Sequence, residues 1–230
     1  MLEKYQIQYN GSTSADHGAI LYDYAKFSGA QKHYNTIAVS GMLGELVSTD
    51  DYTSNATINC TFGILNKNFM EAVRDIRRWL RGTGELIISD NLDVYYRVWK
   101  INYGDINREL RKYGQFSVDF LCTPYEYALD GKQEYDSLSY NSYDECRPVY
   151  IINGTGKCTL TVNGKTMEAQ VDQELTIDTN KMLAYRDPLI LQNTLISGNY
   201  EDLWISSGDV SINVSDGFTI KIIPNWGWKM

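Results

Sequence analysis

The sequence predicts a mainly-β chain of two domains, the first sandwich-like with one α-helix and the second a β-sandwich. Three observations predict it. Short runs of β-branched and aromatic residues, many alternating with a period of two, recur along most of the chain. Helical periodicity is legible once, over residues 68–82. A polar, aperiodic stretch, "DGKQEYDSLSYNSYDECRP" (130–148), ends at Arg147-Pro148 and separates a mixed half from an all-β half. The predicted domains are residues 1–136 and 137–230. With 230 residues, 43% hydrophobic and 22% charged, the chain is globular and long enough for a sizeable core.

In the first half, "NTIAVSG" (35–41), "NATINCTFGI" (55–64), "GELIISD" (84–90), "VYYRVWKIN" (94–102) and "QFSVDFLC" (115–122) read as strands. In the last of these, Phe116, Val118, Phe120 and Cys122 share one face. The helix opens at Asn68, with Glu71 three residues on in the manner of a capping box. Phe69, Ala72, Val73, Ile76, Trp79 and Leu80 recur at helical spacing, and Gly82 is placed to stop the helix. The opposite face carries Arg74, Arg77, Arg78 and Arg81, within a stretch (66–113) of ten basic and seven acidic residues. That stripe is either a solvated helix face or a contact face for an acidic neighbour, and in an oligomer it is the candidate oligomer contact.

In the second half, strands are expected at 149–153, 158–171, 174–178, 189–193, 202–206, 209–214 and 218–223, a spacing that suggests a sandwich. Within it, "GTGK" (154–157) resembles a phosphate loop only superficially. Position 151 is Ile where the loop needs Gly, 158 is Cys where it needs Ser or Thr, and no helix follows. Instead Cys158, Leu160 and Val162 alternate with threonines up to Asn163-Gly164, a type I′ turn signal. Folding there sets Val162 opposite Lys165, Leu160 opposite Met167 and Cys158 opposite Ala169.

Chemistry is sparse. The net charge of −8 argues against nucleic acid or an anionic membrane as main partner. No apolar run is long enough to span a bilayer, and the first residues lack the apolar core of a signal peptide. The four cysteines (60, 122, 146, 158) show no metal-ligand spacing and read as free thiols on strands. With only His17 and His33, no nucleophile–base set is legible, and no catalytic, cofactor or metal residues are assigned. Paired carboxylates of a glycan hydrolase could come only from clusters such as Asp50-Asp51 or Asp172/Glu174, which sit beside turn-like residues. Tyrosine is abundant at 18 residues. That suits either a surface made for partners or the β-propensity of Tyr.

The ordered series of segments resembles the distal tail proteins of siphophages, the hub at the tip of a long non-contractile tail. The second half carries "RPVYIINGTGKCTLTVNGKTMEAQVDQELTIDTNKMLAYRD" (147–187), then "SGNYEDLWISSGDVSINV" and "FTIKIIPNW". The first carries "GMLGEL" (41–46), "FMEAVRDIRRWLRGTGEL" (69–86), "YYRVWKIN" and "FSVDFLCTPYEY" (116–127). The resemblance implies a first domain that forms a homo-oligomeric ring, typically a hexamer, around the channel through which DNA leaves. It implies a galectin-like, carbohydrate-module-like second sandwich. It implies as partners the tail tube protein, tape-measure protein, tail-associated lysin and receptor-binding protein, with a location at the virion tail tip after assembly in the host bacterial cytoplasm. It implies no catalytic role and no cofactor. The alternative is a free carbohydrate-binding module or lectin-type adhesin. Against a galectin-type site stand the absence of histidine after His33 and the presence of only Arg147 and Arg186 in residues 147–230. Trp226 and Trp228, two apart, are either a sugar-stacking platform or the closure of the last strand against its domain.

Overall fold

The computed structural model describes residues 5–65, 68–110, 113–186 and 190–230, side chains 33, 49–52, 65 and 106–110 excepted. It divides into two compact units, residues 1–126 with 229–230, and residues 127–228. The second unit thus begins ten residues before the predicted boundary. Residues 130–136 belong to the polar, aperiodic stretch that reads as the boundary, yet bonds in this region go to residues some ninety positions later. Ala128 N–H donates to Trp226 O (2.9 Å), and Tyr135 exchanges backbone hydrogen bonds with Ile222 (2.8 Å each).

The first unit contains β1 (Ile7–Tyr9), β2 (Ser12–Thr13), β3 (Ala19–Leu21), β4 (Lys26–Ser28), β5 (Lys32–Ala38), β6 (Glu45–Thr53), β7 (Ala56–Leu65), α1 (Phe69–Trp79), β8 (Gly84–Ile88), β9 (Asn91–Leu110) and β10 (Tyr113–Ala128). Its main sheet runs β2-β1-β8-β9-β10-β7-β3, with β4 also on β7. Strands β7 and β10 pair antiparallel, so that Phe120 faces Ile58, Val118 faces Cys60 and Phe116 faces Phe62. Alternation then puts Ile58, Cys60, Phe62 and Ile64 on the same buried face as Phe116, Val118, Phe120 and Cys122. Helix α1 covers this face with Phe69, Ala72, Val73 and Ile76, joined by Leu80 just past its end. The capping box does not form. Glu71 N–H bonds to Asn68 backbone O (3.0 Å), and the Asn68 amide donates to the Glu71 carboxylate (3.1 Å) instead of capping the helix. Gly82 does take the left-handed conformation expected of a stop (φ 75°).

The second unit contains β11 (Tyr140–Asn141), β12 (Val149–Val162), β13 (Lys165–Asp178), β14 (Leu183–Arg186), β15 (Ile190–Leu191), β16 (Ile196–Ser197), β17 (Gly208–Asp209), β18 (Ile212–Val214), β19 (Thr219–Ile223) and most of β20 (Gly227–Lys229), whose last residue is counted with the first unit. Position 189, expected in a strand, lies outside the described residues. The predicted hairpin register is the observed one, and it continues, fusing the expected strands at 149–153 and 174–178 with the two arms of the 158–171 hairpin into two strands of 14 residues from Val149↔Asp178 to Val162↔Lys165. Asn163 (φ 49°) and Gly164 (φ 83°) make the turn. Cys158, Leu160, Val162, Met167 and Ala169 are buried. The Gly-Thr-Gly segment lies inside β12. A Cβ on Gly154 would stand 2.3 Å from the Phe218 ring, so glycine is needed there for close packing rather than for phosphate. Strands β14, β18 and β19 extend the sheet, and Tyr150, Ile152, Leu175, Ile177, Leu203, Ile205 and Ile222 fill a second core.

Candidate assembly surface

Between β4 and β7 the chain leaves the main sheet. Among the described residues, β5 and β6 pair only with each other, Tyr34↔Thr49, Thr36↔Val47, Ile37↔Leu46 and Ala38↔Glu45. Neighbouring residues on a strand point to opposite faces. Ile37 and Leu46 therefore lie on one face, Tyr34 and Val47 on the other, and all four are exposed. At the tip, "VSGMLG" (39–44) bends through Gly41 (φ 86°) and Gly44 (φ 98°) and adds Val39, Met42 and a fully exposed Leu43. A lone two-stranded hairpin is marginal in water, and contiguous exposed apolar surface marks an interaction site. Sequence reading found the strand but missed its detachment. The available signal was that "TIAVSGMLGELV" places apolar residues on both faces, with no polar face for solvent.

Of the predicted contact residues, Arg74, Arg77 and Arg78 are exposed on α1, and Arg81 is exposed two residues past its end. Arg77 lies over the Tyr103 ring (5.8 Å), and Arg81 Nε donates to Arg77 O (3.2 Å). Among the described residues none of the four has a carboxylate within ion-pair distance.

One constellation was not legible in the sequence. His17 Nδ1 lies 2.8 Å from Asp75 Oδ2 and His17 Nε2 lies 3.0 Å from Ser12 Oγ. A carboxylate only accepts, so Nδ1 carries a proton and donates to Asp75, and Nε2 shares a hydrogen bond with the Ser12 hydroxyl. The connectivity matches a hydroxyl–imidazole–carboxylate relay. The imidazole also stacks on Trp79 (4.6 Å, 13°), whose Nε1 donates to Tyr9 O (3.2 Å). The set ties the β1–β2 turn and the short 3-10 segment at residues 15–17 to α1. Asp75 lies 58 residues from His17, and no spacing in the sequence announces the pair.

Trp226 and Trp228 do not share a platform. Trp226 is 7% exposed, stacks on Tyr143 (5.2 Å) and donates from Nε1 to Asp130 Oδ1 (2.8 Å). Trp228 is 43% exposed and meets Tyr143 edge-on (4.9 Å). An open groove of about 260 Å³ lies elsewhere in this unit, lined by Gln170, Leu195, Ile196 and the ion-paired Lys157 and Glu168 (2.9 Å). The lysine of "GTGK" is thus held by a carboxylate across the hairpin. Asp172 pairs with Arg186 (2.9 Å). Asp50 and Asp51 lie on β6, with side chains outside the described set.

Among the described residues no group of His, Cys, Asp and Glu could hold a metal ion, and no helix is long and apolar enough to cross a membrane. All four cysteines are free and buried. Burial pushes the thiols of Cys60, Cys122 and Cys146 up to about 12, with the Cys122 and Asp119 charges adding to the shift of Cys60 and the Glu145 charge to that of Cys146.

Among the described residues the chain forms two mainly-β units, the first with a hairpin that pairs outside its main sheet. This fold is similar to that of a solved phage protein. The chain superposes with a TM-score of 0.69 on the crystal structure of the SPP1 Dit protein, described as a paradigm of the hub adsorption apparatus in phages infecting Gram-positive bacteria. The likeness covers 96% of this chain and 98% of that one at 11% sequence identity, and is therefore a likeness of fold. No family model matches the sequence, and no curated protein matches it.

Proposed function

We propose that this chain is the hub protein of a phage tail tip. Copies of the first unit form a ring of six around a channel for DNA. The second, galectin-like unit serves as a docking domain for the tail-associated lysin and receptor-binding protein, while the ring meets the tail tube and tape-measure proteins. The protein resides at the virion tail tip after assembly in the host bacterial cytoplasm. The observation that carries this reading is the fold likeness, which spans both units. The β5–β6 hairpin supplies a surface for the ring. A stable interface buries at least about 1,000 Å², while exposed ion pairs contribute only ~0–1 kcal/mol each. Apolar strand surface such as Tyr34, Ile37, Leu43 and Val47, at about 25 cal/mol per Å² buried, is what can hold copies together.

The hub reading assigns no catalysis. Ser12, His17 and Asp75 act as a clasp between the first hairpin and α1. It also assigns no sugar site of the galectin type, since Trp226 is engaged in its own core.

The test is mass by light scattering with negative-stain imaging of the full chain. A ring with a central hole is expected, and Met42→Asp/Leu43→Asp should reduce it to smaller species without altering the thermal melt. A wild-type chain that stays monomeric at tens of micromolar and shows no ring would overturn the reading.

A further inference from the structure

The structural boundary redistributes the charge. Cutting at residue 136 makes the halves equally acidic. The compact units are different: the first holds 14 basic and 15 acidic residues, the second 7 basic and 14 acidic. Nearly all the excess negative charge belongs to the second unit.

The cations of that unit are already engaged. Lys157 pairs with Glu168, Lys165 with Asp202, Lys181 with Asp178, Arg186 with Asp172 and Lys221 with Asp136. Arg147 sits over the Trp204 ring at 4.5 Å. Glu134, Glu201, Asp209 and Asp216 remain exposed, with no ion pair among the described residues. The first unit has the converse feature. Arg74, Arg77 and Arg78 stand exposed on α1 at spacings of three and four residues, where like charges repel, and Arg81 is exposed two residues past its end. The helix dipole favours cations in the last turn, which accounts for Arg77 and Arg78 but not for Arg74. The Arg77–Tyr103 and Arg81–backbone contacts hold their side chains without neutralising them.

We propose that the exposed arginines of α1 and its C-terminal end in one copy bind exposed carboxylates of the second unit of a neighbouring copy. The inference rests on the hub reading in one respect, that a second copy is at hand. It adds an electrostatic contact to the apolar one made by the hairpin. Its work is register and selectivity between copies, because exposed charge pairs steer and orient more than they bind. Such a contact weakens with salt as the Debye length falls from about 10 Å at 0.1 M to about 3 Å at 1 M.

Two full-length variants test it, one with Arg74, Arg77, Arg78 and Arg81 changed to Glu, the other with Glu134, Glu201, Asp209 and Asp216 changed to Lys. Each is checked for a native thermal melt, then followed by sedimentation at about 0.1 M salt. Each alone is expected to raise the apparent dissociation constant between copies at least tenfold. Mixing the two should restore association, since every acidic α1 then finds a basic second unit on the other variant. Three results overturn the proposal: reversed variants that associate as the wild type does, loss that mixing fails to restore, or restoration only when both reversals share one chain, which would place the contact within a single copy. A wild type that is monomeric throughout would sink the hub reading itself. A ring insensitive to both reversals would sink only this inference.

Discussion

Replacing Trp226 with Ala is the sharpest probe of how the second unit closes. The side chain is 7% exposed, its ring stacks on Tyr143 and tilts against Tyr135 (5.4 Å), and its N–H donates to Asp130 Oδ1. Truncating a buried Trp to Ala costs about 3–5 kcal/mol. Collapse of the site is resisted by Gly131, which leaves only 2.9 Å between an added Cβ and the indole, so the packing there is already tight. We expect a loss of about 4 kcal/mol. Trp228 is 43% exposed and has one edge-on aromatic contact, a kind of pair worth about 0.5–1.5 kcal/mol beyond area; Trp228→Ala should therefore cost about 1 kcal/mol. Trp226→Phe retains most of the buried area but removes the donor. Tyr143 Oη still donates to Asp130 (3.1 Å), so the loss should be about 1–2 kcal/mol. Urea titration of the full chain, followed by far-ultraviolet circular dichroism, gives the three values. A Trp226→Ala loss below about 1 kcal/mol, or a larger loss for Trp228→Ala, refutes the reasoning and returns Trp226 to the list of binding residues.

Other outcomes follow from the same geometry. Gly164→Val should cost more than ~1 kcal/mol because φ is 83° there, while Thr161→Val on the half-exposed face of the hairpin should change little; calorimetry that ranked them in reverse would displace the turn. Three thiols held near 12 against an ordinary ~8.5 keep protons in the folded chain that the unfolded chain releases. Stability is then full below about pH 8.5 and declines as pH rises toward 12, and native protein at pH 8 should not react with a thiol reagent until unfolded. His17→Phe keeps the stack on Trp79 but loses both hydrogen bonds, for about 1–2 kcal/mol; a fluorophosphonate should leave Ser12 unlabelled, and stoichiometric labelling would turn the clasp into a catalytic site. Calorimetric titration with β-galactosides or host wall polysaccharide should show no saturable binding tighter than about millimolar, and binding lost in Trp228→Ala would favour an adhesin.

What was legible in the sequence was local. Asn163-Gly164 and the flanking alternation define the long hairpin because turn type and a one-sided core each fix register. The α1 pattern is legible because its buried face repeats at 3.6 residues. What was hidden depends on partners far along the chain. Ser12, His17 and Asp75 meet only because β1 and β2 fold back beside α1. Residues 130–136 read as part of a boundary because their partners, Ile222 and Trp226, lie at the other end. The even charge of the two halves followed from that boundary. Asn68 has the identity of a cap, but its side chain finds the Glu71 carboxylate instead. Of the β5–β6 hairpin only β5 was visible as a strand, while the pairing with β6 and its detachment are facts that no single strand announces.

The path of the chain sets an order of events during synthesis. Residues 229–230 belong to the first unit. Met230 packs against its core, and Met230 N–H bonds to Pro124 O (3.3 Å). Everything between residues 127 and 228 leaves the ribosome before those two residues do. The nascent chain therefore carries a first unit whose last contacts are unmade until the second has been translated in full. Folding of the earlier-made unit thus draws on residues made after the second, and a chain stalled before residue 229 lacks those contacts.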